Sequence, residues 1–286
     1  MKIHKAVITA AAPSQRTLPL QSLIDRDGHE RTVLRILLDE VRRAGIDEIA
    51  VVIPPGDEAA FARAAGDRSI RFIEQVGPGT YAQAIHCARP FTIEEPFLHL
   101  VGDHLYAGSN GSSPTKRLVA IAEEENCAVS AVQATRETLL AHYGAIGAQR
   151  LAGKRDVYRV EKVLEKPTPT EAEQELAVSG LRAGHYLCFF GMHVLTPAVM
   201  NILERHLQEA PQTSTLSRAL SELAAREQYL AIEQTIRRYD IGTKYGIFYA
   251  QLALALNGQD RNAVLAQLLE VVSLHTAEAH EIGQST

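Results

Sequence analysis

Phe97-Leu98-His99-Leu100-Val101-Gly102-Asp103 is a mostly apolar run that ends in a glycine and a carboxylate. Five such residues bounded by a turn signal read as a buried strand. In a doubly wound sheet the carboxyl ends of the strands are where ligands gather, so this strand sets Asp103 at the ligand-binding edge. Working outward toward the N-terminus, Ala6-Val7-Ile8-Thr9-Ala10 reads as another buried strand, followed by a polar loop with Pro13, Pro19, Asp27 and Gly28. Val33, Leu34, Leu37, Leu38 and Val41 then share one helical face that stops at Gly45. A strand over 49–53, a short helix from a cap at Asp57 to Ala65, a strand over 70–73 and a helix over 81–88 lead back to Phe97. Repeated strand-helix alternation demands crossover connections, and these predict a mostly parallel sheet flanked by helices. The loops after Ala10 and Val101 are therefore where a site is expected.

Downstream of Asp103 the turn signals in Ser109-Asn110-Gly111-Ser112-Ser113 precede a helix over 115–125 and a strand over 128–135. The rhythm then changes. Segments 143–148, 157–163 and 185–190 read as antiparallel additions, with Thr170-Glu171-Ala172-Glu173 opening a helix between them. Thr196-Pro197 supplies the cap and first position of another helix, and further helices are predicted over 216–226, 244–256 and 261–273, with a loose tail over 280–286. No internal repeat is visible.

Composition narrows the function. A chain of 286 residues buries a sizeable core, and its net charge of −5 is spread over interleaved acids and bases without a long basic run. That removes the electrostatic footprint of a nucleic-acid binder. No stretch approaches the roughly 20 apolar residues that cross a bilayer, and Met1-Lys2-Ile3-His4-Lys5 leads into a strand, so a cytoplasmic protein without membrane contact is expected. Cys87, Cys127 and Cys188 lie far apart among apolar residues and read as buried thiols rather than zinc ligands or disulfides.

Two acids carry the chemistry. Asp103 alone reads equally well as the cap of a turn, and Asp240, in Tyr239-Asp240-Ile241-Gly242-Thr243-Lys244, as the cap of a helix. Together they form the kind of pair that holds a hard cation.

The chain as a whole resembles the bacterial uridylyltransferases that make UDP-glucose, and more broadly the sugar-nucleotide pyrophosphorylases. The resemblance rests on Arg16 with Leu18-Pro19, on Gln75 before Ala84-Ile85-His86-Cys87-Ala88-Arg89-Pro90-Phe91, and on Gly102-Asp103. It continues through Tyr143-Gly144, Glu165-Lys166-Pro167, Gly191 before Leu195-Thr196-Pro197, and Tyr239-Asp240-Ile241-Gly242. It implies a Rossmann-like nucleotidyltransferase fold of the GT-A-like kind, with a catalytic-type domain over 1–256 and a C-terminal helix and tail over 257–286. The implied reaction joins glucose 1-phosphate to UTP and releases pyrophosphate, with Mg2+ held by Asp103 and Asp240. Arg16, Asp103 and Lys166 would be catalytic; Ala11, Ala12, Gln75, Gly79 and Gly102 would bind the nucleotide, Gln75 reading the base. Gly144, Glu165, Lys166, Gly191 and Lys244 would bind the sugar phosphate. The partners are thus a nucleoside triphosphate and a sugar 1-phosphate, and apolar faces of the last two helices add a second copy of the chain as a candidate.

Two stretches depart from the family pattern. The glycine-rich first loop is replaced by Ala12-Pro13-Ser14-Gln15-Arg16, in which Pro13 has no N–H for a phosphate. No lysine follows, and Arg26 or Arg31 is the candidate replacement for its charge. In the base-binding region Thr80, Ala82 and Gln83 stand where the family has two glycines and a histidine. These departures leave open a relative that binds sugar nucleotides without turnover, or one that uses another base such as thymine.

Overall fold

A computed structural model describes residues 1–13, 16–77, 79–108 and 113–284, with side chains through Leu274. The first part of the chain forms β1 (Lys5–Thr9), β2 (Ser22–Ile24), β3 (Glu30–Thr32), α1 (Val33–Arg43), β4 (Glu48–Ile53) and α2 (Glu58–Ala65). It continues with β5 (Arg71–Glu74), α3 (Tyr81–Cys87), α4 (Arg89–Thr92), β6 (Phe97–Val101) and β7 (His104–Ala107). There follow α5 (Pro114–Glu125), β8 (Ala128–Arg136), β9 (Gly144–Arg150), β10 (Val157–Glu165), α6 (Pro169–Glu175) and β11 (His185–Leu195). The chain ends in α7 (Pro197–Glu209), α8 (Leu216–Arg226), β12 (Tyr229–Glu233), β13 (Arg237–Asp240), α9 (Gly246–Leu256) and α10 (Arg261–Gln284).

The central sheet has the order β5-β4-β1-β6-β11-β8-β12-β10-β9. Its first four strands are parallel, whereas β11 runs antiparallel to β6, β8 and β9. This is the mixed α/β architecture with antiparallel additions that the pattern predicts. Along β1, Ala6 and Ile8 pack into one core with Leu34, Leu37 and Leu38 of α1, while Val7 packs into the opposite core with Ile85 of α3. Both faces of the strand are covered, which is why its central Ala6-Val7-Ile8 is continuously apolar rather than alternating. Full burial of each such aliphatic side chain contributes roughly 1.5–3 kcal/mol.

Local signals account for most boundaries. Thr32 caps α1 by accepting from the Arg35 N–H at 3.1 Å, and Gly45 follows that helix at φ +82°. Thr80 caps α3 by accepting from the Gln83 N–H. The cap of α6 is Thr168, in a reciprocal capping box with Glu171, two residues earlier than the Thr170 start suggests.

Several expectations need correction. Asp57 does not cap α2 through its side chain, because Arg16 takes its carboxylate. The first loop contains the β2–β3 hairpin, and β11 runs through Leu195 rather than ending near Phe190. The helix expected from Lys244 begins at Gly246, and α10 continues through Gln284 where a loose tail was expected. The turn residues 109–112, Ser14 and Gln15 lie outside the described residues. No helix among the described residues is long and apolar enough to cross a membrane.

Candidate functional site

β1 and β6 end side by side, and beyond their carboxyl ends lies a cleft of about 520 Å³. The Gly102 N–H donates to the Thr9 carbonyl at 2.8 Å, and a Cβ on residue 102 would stand 2.8 Å from that same oxygen. Glycine therefore lets the two strand ends close before the chain turns into Asp103. Ala11, Ala12, Gln75 and Gly79 line one part of the cleft, and Gly144, Glu165, Lys166 and Gly191 another, together with Gly102, Asp103 and Asp240. Gln75 is buried at the exit of β5, where its amide donates to the Thr80 carbonyl at 3.0 Å and its carboxamide oxygen is left to accept.

The two aspartates meet through a second small sheet. β7 pairs antiparallel with β13 and puts Asp240 opposite His104. The imidazole Nδ1 stands 4.0 Å from Oδ1 of Asp103, and its Nε2 stands 3.8 Å from Oδ2 of Asp240. Burial is the strongest influence on Asp240 and pushes its pKa upward, but His104, the Gly242 N–H at 2.9 Å and Arg238 together hold it below its ordinary value. Nδ1 of His104 is buried without a hydrogen-bond partner. A Cβ on Gly191 would come 2.5 Å from that nitrogen, and Gly191 takes φ +82° at the register shift of β11. The bulge is held by the Tyr106 hydroxyl, which donates to the Gly191 carbonyl at 3.2 Å. Sequence reasoning passed over His104; its place directly after Gly-Asp was the available signal.

Glu165 and Gly144 are cross-strand partners at the ends of β10 and β9. Lys166, the next residue, adopts φ +48°, a left-handed conformation uncommon outside glycine, while its N–H donates to the Tyr143 carbonyl at 3.2 Å. Such backbone strain, typically about 1–3 kcal/mol, persists where surrounding structure imposes it and clusters at functional sites. Arg238 lies over the Tyr143 ring, 3.7 Å from its centroid, and donates to the Phe189 carbonyl. Arg238 thereby ties β13 to this wall.

Beneath the cleft, His99 and His193 face each other across β6 and β11 with ring centroids 5.9 Å apart. Burial pushes the His193 pKa down to about 3, and burial followed by its neighbour His193 keeps His99 well below the usual range. Both are neutral at ordinary pH. His193 Nδ1 bonds to the Ser130 hydroxyl at 2.6 Å, and Ser130 also bonds to Tyr229. Burial likewise pushes the Cys127 and Cys188 thiols up to about 11, so neither is a thiolate nucleophile at neutral pH.

Two of the expected site residues are not brought to the cleft. Arg16 donates from two nitrogens to Asp57, and Lys244 lies before α9 with its ammonium 5.2 Å from the Tyr245 ring centroid. Neither replacement for the absent lysine reaches the cleft: Arg26 donates to the Tyr106 carbonyl, and Arg31 pairs with Asp25.

The nucleotidyl transferase family model matches residues 20–256. The chain belongs to the nucleotidyl transferase family. Within what this nucleotidyl transferase resembles is UTP–glucose-1-phosphate uridylyltransferase 2 of Streptococcus pyogenes serotype M3 (strain ATCC BAA-595 / MGAS315), 27% identical over 284 residues covering 89% of this chain and 91% of the relative. The fold is similar to that of a UDP-glucose pyrophosphorylase solved with UDP-glucose, at TM-score 0.72 and 19% identity over 87% of this chain and 97% of that one. It is also similar to the UDP-glucose pyrophosphorylase of Acinetobacter baumannii, at TM-score 0.73 and 20% identity over 94% and 99% of the two chains.

Proposed function

We propose that this nucleotidyl transferase is a cytoplasmic enzyme that moves the uridylyl group of UTP onto glucose 1-phosphate and releases pyrophosphate. The observation that carries the reading is one cleft, at the carboxyl ends of the sheet, that collects Asp103, Asp240, Glu165 and Lys166. The names of the relatives supply the choice of base and sugar.

In the reaction an oxygen of the sugar phosphate attacks the α-phosphorus in line. A P–O bond forms, the bond to the bridging oxygen breaks, and its electron pair leaves with pyrophosphate. No covalent enzyme intermediate is needed, so the protein contributes position and charge. Lys166 holds the sugar phosphate, Glu165 accepts from sugar hydroxyls, and Gln75 accepts from the base, with Ala11, Ala12, Gly79 and Gly102 bringing backbone close to the nucleotide. Gly144 and Gly191 keep the sugar side open. Arg16 reaches the triphosphate by exchanging Asp57 for phosphate oxygens, and Lys244 adds positive charge from the turn before α9.

The donor set fits magnesium. Asp103 and Asp240 place two carboxylates on either side of the His104 imidazole, and magnesium ordinarily combines one or two carboxylates with phosphate and water oxygens. Among the described residues no three His, Cys, Asp or Glu side chains form a cage by themselves, so Asp103 and Asp240 would hold the ion together with substrate phosphates and water. When bound, the ion neutralises phosphate charge that builds up as pyrophosphate leaves. Self-association belongs to the apolar side chains exposed on α9 and α10, among them Phe248, Leu269 and Leu274, and light scattering on the purified chain checks it.

The deciding experiment is a pyrophosphate-release screen of nucleoside triphosphates against sugar 1-phosphates with magnesium. Turnover with UTP and glucose 1-phosphate above every other pair is expected. Tight UDP-glucose binding without pyrophosphate release from any pair would replace the enzyme by a binding protein.

A further inference from the structure

Ser217 lies in the first turn of α8 and is only 3% exposed. Its hydroxyl donates to Oε2 of Glu165 at 2.5 Å. A Cβ on Gly144, the cross-strand partner of Glu165, would stand 2.6 Å from Ser217 Oγ and 2.7 Å from the Phe189 ring. Residue 144 is thus glycine where three elements, β9, β11 and α8, close around the serine hydroxyl.

The approach to α8 is itself anchored. Thr215 caps the helix by accepting from the Arg218 N–H at 3.1 Å, and the buried Ser214 hydroxyl contacts the His206 and Ala210 carbonyls, each at 2.7 Å. A hydroxyl mounted on so constrained a turn has little freedom. The carboxylate it meets does: Glu165 is exposed at the end of β10, on a side chain with several rotatable bonds. Ser217 occupies one carboxylate oxygen and leaves Oε1 to accept from a ligand in the cleft.

We infer that Ser217 is a positioning residue that aims the Glu165 carboxylate at a sugar hydroxyl, and that this pair sets how strongly the site prefers a sugar 1-phosphate bearing that hydroxyl over its deoxy analogue. The inference rests on the proposed role of Glu165. A carboxylate already oriented loses less freedom when it accepts the hydroxyl, so removing Ser217 weakens the contact without touching the reacting phosphates. A serine that merely ties α8 to the sheet would alter stability and leave discrimination unchanged.

Steady-state kinetics on the full chain, with glucose 1-phosphate and its monodeoxy analogues, make the test. Ser217→Ala is expected to raise KM for glucose 1-phosphate about tenfold, with kcat within about twofold and KM for UTP unchanged. The preference over the deoxy analogue that lacks the contacted hydroxyl should fall by about the same factor, and Ser217→Thr should restore it. If Ser217→Ala unfolds at the assay temperature, Ser217→Cys, similar in size with a weaker donor, makes the same comparison. Wild-type KM and wild-type discrimination in Ser217→Ala, beside a Glu165→Gln variant that loses both, would overturn the inference alone. A Glu165→Gln variant with unaltered kinetics would overturn the role of Glu165 and the inference with it.

Discussion

At the ends of β9 and β10, Glu165 is tied to Ser217 and Lys166 is held in a left-handed backbone by the Tyr143 carbonyl, whereas the loop after β1 engages its Arg16 guanidinium on Asp57, outside the cleft. One wall carries its polar groups on strand ends braced by a helix. The other relies on a loop whose only charged residue between Ala6 and Leu23 already has a partner. Recognition groups on regular elements are placed before any ligand arrives, while a charge on a loop must leave one anion to meet another.

The largest effect is expected where the two walls meet. Asp103→Asn and Asp240→Asn should each lower turnover about a thousandfold in the pyrophosphate-release assay, since a metal supplies several kcal/mol of charge stabilisation. A loss below about tenfold in either variant would remove that aspartate from the ion. On the braced wall, Lys166→Ala should weaken sugar-phosphate binding roughly 10 to 150-fold, the equivalent of a charge-assisted hydrogen bond of about 1.5–3 kcal/mol. Calorimetric titration should show nucleotide affinity unchanged; equal losses for both substrates would break the division into two walls.

The buried floor sharpens the comparison through pH. His193 has a folded pKa of about 3 against an ordinary 6.5, so between those values the unfolded chain binds the extra proton. The contribution of its neutral ring to stability is fully present above about 6.5 and is lost as pH falls toward about 3. His193→Asn should make the acid limb of stability shallower by about one proton, or about 1.4 kcal/mol per pH unit, in urea unfolding at pH 6, 5 and 4. An unchanged slope would show that the ring is not held neutral by burial. The smallest effect is expected on the loop: Asp57→Ala frees Arg16 and should tighten UTP binding about two- to fivefold, because an exposed ion pair is a weak competitor. Loss of that gain in an Arg16→Ala, Asp57→Ala double variant is the control, and its persistence would show that Arg16 is not the group released.

The strands β1, β4 and β6 were legible because both their faces are covered and their residues are mostly apolar on both, with His99 the polar residue inside β6. Asp103 was legible for a related reason, since a buried strand ending in Gly-Asp has its acid at the sheet edge. The pair β7 and β13 was not, because four-residue strands such as Arg237-Arg238-Tyr239-Asp240 carry no apolar alternation long enough to register. β12 was a plainer miss, since Tyr229-Leu230-Ala231-Ile232 is an apolar run.

The sequence by itself determined the alternation of strands and helices, the apolar faces that make the sheet a buried layer, and the placing of an acid where the sheet opens. Each of these depends on neighbours within a few residues, where periodicity and capping act. Only the tertiary structure decided that His104 lies between Asp103 and Asp240, that Ser217 reaches Glu165 across 52 positions, and that Arg16 turns to Asp57 across 41. Those pairings follow from which strand ends and helix turns the sheet order brings together, and a hydrogen bond formed over such separations leaves no period in the chain to read.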